Sequence, residues 1–262
     1  IATSSGTDAF KLILYALKPK HSVLMPAFTW TSCKNTVDLM RIRTKWVDIN
    51  RDDWIMKEPR ALNSLVVPTF TFGNIRKFDL DKVVYDAAHC VGAKNYADHG
   101  IASFVSFSPM KSVTACEGGM VLTNDKTFAL KIKELRNTMS RMSEIHALIG
   151  LKNFQNRKKI LDDKKETFEF YKKSLSFLRF QKIYHSNFNE IGGLCPTVES
   201  RDYLEKNLKC VMEIRRRYDP LNVNLINTVN VWNRLFMLPS YHGVDKRKVV
   251  TVIKDCWEKK YG

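Results

Sequence analysis

Lys111 is the residue whose surroundings first suggest chemistry. It lies on a connection between two short apolar runs, 104–107 and 120–123, whose pattern predicts buried strands. A lysine held between buried strands is desolvated, which lowers its pKa toward that of a neutral amine able to attack carbonyl groups. Lysines on strand connections more often solvate a turn, so this stretch by itself leaves both interpretations open.

A second candidate is the segment 2–8, which reads A-T-S-S-G-T-D and precedes an apolar helical pattern over 10–17. Its hydroxyl residues and Gly6 are typical of a helix N-cap, so free backbone N–H groups and the positive end of the helix dipole would face an approaching anion. An ordinary helix cap explains the same residues.

Two further candidates belong to predicted strands. Trp30 follows the strand 23–25, where a tryptophan either packs in the core or covers a flat cofactor. Asp86 ends the apolar body of the strand segment 82–89, where a carboxylate caps a helix, binds a metal or accepts a hydrogen bond from a protonated ring nitrogen. No His or Cys cluster with ligand spacing accompanies Asp86, so the sequence predicts no metal site.

Strands that alternate with helices predict an α/β fold, with a mostly parallel sheet covered by helices on both faces and ligands at the carboxyl ends of its strands. Further strands are predicted over 45–49 and 64–69, and helices over 32–40, 126–136, 143–153 and 157–178. The last helix has a predicted solvated charged face and an apolar face formed by Ile160, Phe168, Tyr171 and Leu175. Short strands, a helix from about Ser200 and a terminal helix over 245–259 indicate a smaller α+β unit.

The composition narrows the class of protein. The 262 residues are 44% hydrophobic and 27% charged, as in a soluble globular enzyme, and no apolar run reaches membrane-spanning length. The 43 Lys and Arg against 27 Asp and Glu give a net charge of +16, which attracts phosphates, nucleotides or nucleic acid. Because the basic residues are dispersed, solvated surface faces are favoured over a nucleic-acid site. The six cysteines form no C-x-x-C pair and fit a reducing cytoplasm.

Five motifs occur in order along the chain. They are S-G-T-D-A-F at 5–10, P-A-F-T-W-T-S at 26–32, D-A-A-H-C-V-G-A at 86–93, S-F-S-P-M-K-S-V-T-A-C-E-G-G at 106–119 and R-M-S-E-I-H-A-L-I-G-L at 141–151. This set resembles the DegT/DnrJ-type sugar aminotransferases, which are fold type I, aspartate aminotransferase-like enzymes that use pyridoxal 5'-phosphate (PLP). The resemblance covers nearly the whole chain. It implies a large PLP-binding domain at 1–155 and a connecting helix with a smaller C-terminal α+β domain at 156–262.

The resemblance also implies roles for individual residues. Lys111 would attach covalently to the cofactor and, once released, move a proton between the substrate carbon and the cofactor. Asp86 would pair with the pyridinium nitrogen, which keeps the ring able to accept electrons. Trp30 would stack on the ring, and His89 would contact its edge.

Other implied roles concern the phosphate and the assembly. The backbone of Gly6 and Thr7, the Thr7 hydroxyl and Ser106 would hold the cofactor phosphate. Arg141 would reach the phosphate or substrate region of a second subunit, so a homodimer with composite active sites is expected.

The sequence departs from the family pattern in a few places. Ser108 stands where many members have His, Cys116 where Gly is common and Met139 where Asn is frequent. The family also has a segment before S-G-T that helps to build the small domain and the substrate site. Because the sequence starts at Ile1 instead of Met, we expect the N-terminus to be truncated or incompletely ordered.

The expected reaction is transfer of an amino group from glutamate to the keto group of a nucleotide-linked deoxysugar, for polysaccharide or glycan biosynthesis in the cytoplasm. Arg217 and Tyr218 are candidate sugar contacts. Two alternatives stay open, namely a PLP aminotransferase acting on an aminocyclitol or another keto compound, and a non-catalytic truncated relative. The joint presence of Lys111, Asp86, Trp30 and Ser106 favours an enzyme. Neither a membrane nor a nucleic-acid partner is expected.

Overall fold

The computed structural model describes residues 1–60, 63–97 and 100–262. Its strands are β1 Ala2–Thr3, β2 Val23–Pro26, β3 Thr44–Val47, β4 Leu65–Val66, β5 Asn74–Ile75, β6 Val84–Asp86, β7 Ala102–Ser106, β8 Gly119–Leu122, β9 Arg179–Phe180, β10 His185–Ser186, β11 Ile191–Leu194 and β12 Leu235–Leu238. Its α-helices are α1 Gly6–Leu17, α2 Thr31–Leu39, α3 Lys126–Met139, α4 Glu144–Gln155, α5 Arg157–Ser174, α6 Val198–Leu208, α7 Ile226–Arg234 and α8 Lys246–Tyr261. Within the described ranges, no helix is long and apolar enough to cross a membrane.

The main sheet has the strand order β3-β2-β4-β6-β7-β8-β1. Parallel ladders join β3, β2 and β4, and another joins β6 and β7. Parallel bridges from Val66 to Val83 and from Thr69 to Asp86 connect the two groups. β8 runs antiparallel to β7, and β1 runs antiparallel to β8. The predicted α/β fold with a mostly parallel sheet is therefore confirmed, and the carboxyl ends of β1, β2, β6 and β7 share one edge.

Helix α1 packs its apolar face on this sheet. Phe10 and Ile13, predicted as part of that face, are buried, and Phe10 stacks on Phe104 of β7 with ring centroids 4.9 Å apart. Burying side chains of this size stabilises the fold by roughly 1.5–3 kcal/mol each. The helix begins at a cap in which Ser5 Oγ accepts a hydrogen bond from the backbone N–H of Asp8 at 3.0 Å.

The first turn of α1 lies directly against the strands at two glycines. A Cβ atom on Gly119, at the start of β8, would lie 2.3 Å from the backbone carbonyl of Ser5. A Cβ atom on Gly6 would lie 2.9 Å from the Cβ of Ser106. These distances are shorter than real contacts, so the S-G-T and E-G-G motifs need glycine for the close approach of helix and sheet.

The C-terminal elements form a second, antiparallel sheet in the order β12-β11-β9. Helices α5, α6 and α8 pack with it around a hydrophobic cluster that includes Phe168, Tyr171, Leu204, Phe236 and Ile253. Helices α4 and α5 meet at Asn156, beside the expected boundary between 1–155 and 156–262. The division into two domains stays a prediction.

Several predicted boundaries are wrong. Helix α5 ends at Ser174 instead of 178, and α6 begins at Val198, two residues before Ser200. The strand segment 82–89 pairs with its neighbours only from the bridge at Val83 to the end of β6 at Asp86. The early start of α6 follows from a capping box, in which the side chains of Thr197 and Ser200 bond to each other's backbone N–H.

Helix α7 is not predicted by the sequence pattern. Its residues, I-N-T-V-N-V-W-N-R, are mostly asparagine and β-branched types with low helix propensity. The Asp48 carboxylate accepts hydrogen bonds from the backbone N–H groups of Asn227 at 3.1 Å and Thr228 at 2.9 Å. Because this N-terminal partner comes from just beyond β3, local sequence contains no sign of it.

We expect Gly119→Ala to lower the free energy of unfolding by about 1–3 kcal/mol, because the added methyl group collides with the backbone that caps α1. Gly243→Ala is the matched control. A Cβ there meets nothing within 4 Å, and only its left-handed backbone, with a φ of 79°, is strained. Urea unfolding followed by circular dichroism measures both variants. Equal losses would contradict the steric argument.

Candidate active site

The candidate catalytic and cofactor-binding residues lie at the carboxyl edge of the main sheet. β1 leads into α1 at Gly6, and β2 leads into the loop with Trp30. β6 ends at Asp86 and β7 at Ser106, while Lys111 follows on the connection to β8. The topology thus brings together segments that are far apart in the sequence.

The carboxylate of Asp86 is buried among hydrogen-bond donors. Its Oδ1 accepts from the backbone N–H of Ala88 at 3.1 Å, and its Oδ2 accepts from Thr69 Oγ1 at 3.2 Å and from the Cys33 thiol at 3.7 Å. Thr29 Oγ1 lies 2.7 Å from Thr69 Oγ1 and extends the network. Burial raises the pKa of Asp86, and the N–H of Ala88 opposes that shift. A cationic partner at this carboxylate would compensate the cost of its burial.

His89, Tyr218 and Trp30 form an aromatic wall near Asp86. The Tyr218 hydroxyl lies 3.3 Å from both ring nitrogens of His89. The centroid of the Tyr218 ring lies 5.3 Å from that of Phe28 and 6.4 Å from that of Trp30. Burial holds the pKa of His89 well below its usual value, so the imidazole is neutral near pH 7. His89 and Tyr218 are buried, whereas 54% of Trp30 is exposed and accessible to a flat ligand.

The N-terminus of α1 and the end of β7 form a polar cradle. Among the described residues, the backbone N–H groups of Gly6 and Thr7 have no acceptor, while that of Asp8 is capped by Ser5. The Ser106 hydroxyl is half-buried beside them. Free N–H groups at a helix N-terminus with an adjacent hydroxyl are suited to a phosphate.

A cavity of about 760 Å³ opens beside Lys111. Its wall includes Met110, Lys111, Lys164, Glu190, Arg217 and Ser240. Burial lowers the pKa of Lys111, while the carboxylates of Glu190 and Asp86 oppose this shift. The direction agrees with the sequence-based prediction of an amine that loses its proton more readily than an ordinary lysine.

Lys164 was expected on the solvated face of α5, and this expectation is wrong. Its side chain is buried, and Nζ donates to the backbone carbonyl oxygens of Asn189, at 3.0 Å, and Ser240. Burial lowers the pKa of Lys164 to about 8. The signal was present in the sequence, because Lys164 lies four residues from both Ile160 and Phe168 and so falls on the apolar stripe of the helix.

Glu190 was missed by the sequence analysis. It pairs with Arg217 through contacts of 3.1 Å from Oε2 to Nε and 3.0 Å from Oε1 to Nη2. Glu190 precedes a short glycine-bearing strand and belongs to no recognisable motif, so only the fold shows its position. The pair also means that the guanidinium of Arg217, expected as a sugar contact, already holds a carboxylate.

Arg141 is exposed on the segment between α3 and α4. Its Nε donates to the backbone carbonyl oxygen of Asn137 at 3.1 Å, and no hydrogen bond among the described residues links it to the polar cradle. The helix that follows, α4, contributes no buried side chain, and Ile145, Leu148 and Leu151 are exposed along it.

The sequence matches the DegT/DnrJ/EryC1/StrS aminotransferase family over residues 1–71 and 76–256. The chain belongs to this family. Its members are PLP-dependent aminotransferases, and the present protein is therefore a PLP-dependent transferase of amino groups. The two matched ranges include every sequence motif described above.

Solved structures have the same fold. A protein of Bacillus cereus assigned as a PLP-dependent aminotransferase is 24% identical, with a TM-score of 0.85 over 98% of this chain and 85% of its own. The PLP form of Spr1654 from Streptococcus pneumoniae, assigned as a sugar aminotransferase, is 17% identical, with a TM-score of 0.88 over 100% and 88%. DesI, determined in the presence of its TDP-sugar product, is 21% identical, with a TM-score of 0.84 over 97% and 78%.

The donors and acceptors at the carboxyl edge of the main sheet fit PLP. The phosphate of PLP matches the free N–H groups of the polar cradle. Position 6 has no room for a side chain there, and glycine leaves the N–H groups accessible. The ring nitrogen of PLP matches the buried carboxylate of Asp86, and its carbonyl group matches the amine of Lys111.

We expect the Lys111 amine to titrate below the ordinary lysine pKa of about 10.4. Because the Glu190 carboxylate favours the ammonium form, Glu190→Gln should lower the midpoint further. Trace acetylation of the aminotransferase without PLP over a pH series, with mass spectrometry of the Lys111 peptide, measures the midpoint. Glu213→Gln, at an exposed acid on the same cavity, is the matched control. A midpoint that stays constant in Glu190→Gln would contradict the assigned electrostatics.

Proposed function

We propose that this aminotransferase transfers an amino group from glutamate to the keto group of a nucleotide-linked deoxysugar. The observation that carries the proposal is the cavity beside Lys111, whose 760 Å³ is within the usual range of about 300–1,000 Å³ for small-molecule sites. Its wall contains Lys164, Arg215 and Lys248, cations that attract a diphosphate. The TDP-sugar named for DesI supports the substrate class.

Lys111 and Asp86 have the central roles in the proposed reaction. PLP, when bound, would supply an electron sink for the substrate carbon that loses its proton. Lys111 holds the cofactor and moves the proton at the substrate carbon, a task that suits an amine with a lowered pKa. Asp86 pairs with the ring nitrogen, and the hydrogen bonds from Ala88 and Thr69 hold its carboxylate in place.

The remaining residues orient the cofactor. Trp30 covers one face of the ring with its exposed indole, and His89 contacts the ring edge in its neutral form. Tyr218 holds His89 through its hydroxyl and does not project into the cavity, so we assign it a supporting role. The N–H groups of Gly6 and Thr7, the Thr7 hydroxyl and Ser106 hold the phosphate.

We further infer a homodimer with composite active sites. The side chains of Ile145, Leu148 and Leu151 recur every three residues on α4 and are exposed, with Leu148 at 71%. An exposed apolar stripe on a helix that buries nothing is typical of a surface covered by a partner. Arg141, immediately before this helix, would then reach the second subunit.

The six cysteines are free, which fits a reaction in the reducing cytoplasm.

The first experiment is the absorbance spectrum of the protein with PLP, before and after addition of glutamate, beside Lys111→Ala. We expect a visible band that requires Lys111 and bleaches with glutamate, because the cofactor then takes up the amino group. Transfer to TDP-linked keto sugars, followed by mass spectrometry, identifies the acceptor. If the Lys111-dependent band is absent, the protein is a non-catalytic relative; if only aminocyclitol ketones are aminated, the sugar proposal fails.

A second experiment concerns the dimer. We expect Leu148→Glu to shift the protein toward monomers by at least about tenfold in dissociation constant, because a charge would be buried in the interface. Light scattering after size exclusion measures the mass. Leu130→Glu, at an exposed leucine on α3, is the matched control and should leave the mass unchanged. A monomeric wild type would overturn the homodimer.

A further inference from the structure

The Glu190–Arg217 ion pair lies in the wall of the cavity that contains Lys111. Its two contacts, 3.1 and 3.0 Å long, place the carboxylate against the planar fork of the guanidinium, the arrangement with which arginine recognises a carboxylate. Both side chains are largely buried, 10% exposed for Glu190 and 15% for Arg217. The pair therefore lies where a substrate held at Lys111 would place its own charged group.

Basic groups gather around this pair. The Glu190 carboxylate interacts with Lys111 and Lys164 as well as with Arg217, while Asp86 also acts on Lys111 and Asp163 also acts on Lys164. Arg215, also in the wall of the cavity, is paired with Glu213. A second anion would be attracted to the neighbourhood of Glu190, because opposite charges interact strongly where water is largely excluded.

A hydrogen-bond donor next to Glu190, the side-chain Nδ2 of Asn189, has no acceptor among the described residues. Asn189 Oδ1 accepts hydrogen bonds from the backbone N–H of Ser112 at 2.8 Å and from its hydroxyl at 3.0 Å, and this fixes the orientation of the amide. The buried Nδ2 of Asn189 has no partner among the described residues, although Asn189 lines the cavity. A buried N–H group without an acceptor is costly, and a bound anion would supply one.

We propose that Glu190 is a placeholder for the carboxylate of the amino donor. The donor carboxylate displaces Glu190 from Arg217, and Glu190 turns toward the ammonium group of Lys164 on the same wall. Glu190 is thus a positioning residue that keeps Arg217 extended into the cavity until the donor arrives. The inference rests on the proposed function, since it takes an amino acid as the donor.

The exchange favours a carboxylate over a phosphate. Replacing one carboxylate by another preserves both the planar shape and the single negative charge opposite Arg217. A diphosphate would bring more charge and tetrahedral groups, which do not match the planar fork of Arg217. The wall of the cavity also contains Arg215 and Lys248, cations that suit such a group.

Calorimetric titration of the PLP-loaded protein with glutarate, a dicarboxylate that has no amino group to transfer, tests the exchange. Glu190→Gln should tighten glutarate binding by about threefold to tenfold, because the internal competitor has lost its charge. Arg217→Gln should weaken it by at least about tenfold. Glu213→Gln, at an exposed acid on the same cavity, is the matched control and should leave the dissociation constant of glutarate unchanged. Titration with pyrophosphate should show no tightening in Glu190→Gln.

Kinetics separate this role from a merely structural one. Glu190→Gln should lower KM for glutamate and leave KM for the acceptor sugar unchanged, whereas Glu190→Asp, which keeps the competing charge, should behave as the wild type. Weaker or unchanged glutarate binding in a folded Glu190→Gln variant, with an unchanged urea midpoint, would overturn the proposal. If glutamate transfers no amino group but glutarate responds as expected, the proposed donor is wrong and the carboxylate exchange stands.

Discussion

The close contact between the first turn of α1 and the strands β7 and β8 is the constraint on which the active site depends. Gly6 and Gly119 allow backbone to approach backbone at distances that no side chain would permit. The burial of Phe10 against Phe104 holds the helix at this distance. As a result, the free N–H groups of α1 face the same edge as Asp86, and the connection with Lys111 passes beside them.

A second constraint is the cost of burying charge. Asp86 and Lys164 are both buried, and each is surrounded by groups that match its charge or its hydrogen-bonding capacity. Their pKa values are shifted by burial, upward for the acid and downward for the base, so each is poised to gain from an oppositely charged partner. Charges left partly uncompensated in this way are typical of a binding site, because the ligand completes them.

The aromatic cluster around Tyr218 joins the C-terminal part of the chain to the main sheet. Tyr218 packs against Phe28 and Phe72, and its hydroxyl meets His89. The neighbouring residue, Arg217, reaches Glu190 in the cavity wall. Consecutive residues of one segment therefore serve two purposes, since one supports the proposed cofactor pocket and the other faces the substrate cavity.

The sequence by itself determined the α/β fold and the family. It also placed Asp86 at the end of a strand, and Trp30 and Lys111 on connections that follow strands, because alternating strands and helices and closely spaced motifs are local properties. The tertiary structure alone decided what depends on distant partners. It brought Glu190 to Arg217, placed the Asp48 cap on α7 and buried Lys164 beneath the carbonyl groups of Asn189 and Ser240. Such contacts join segments far apart in the chain, and their charges acquire their chemical meaning only from the burial that the fold imposes.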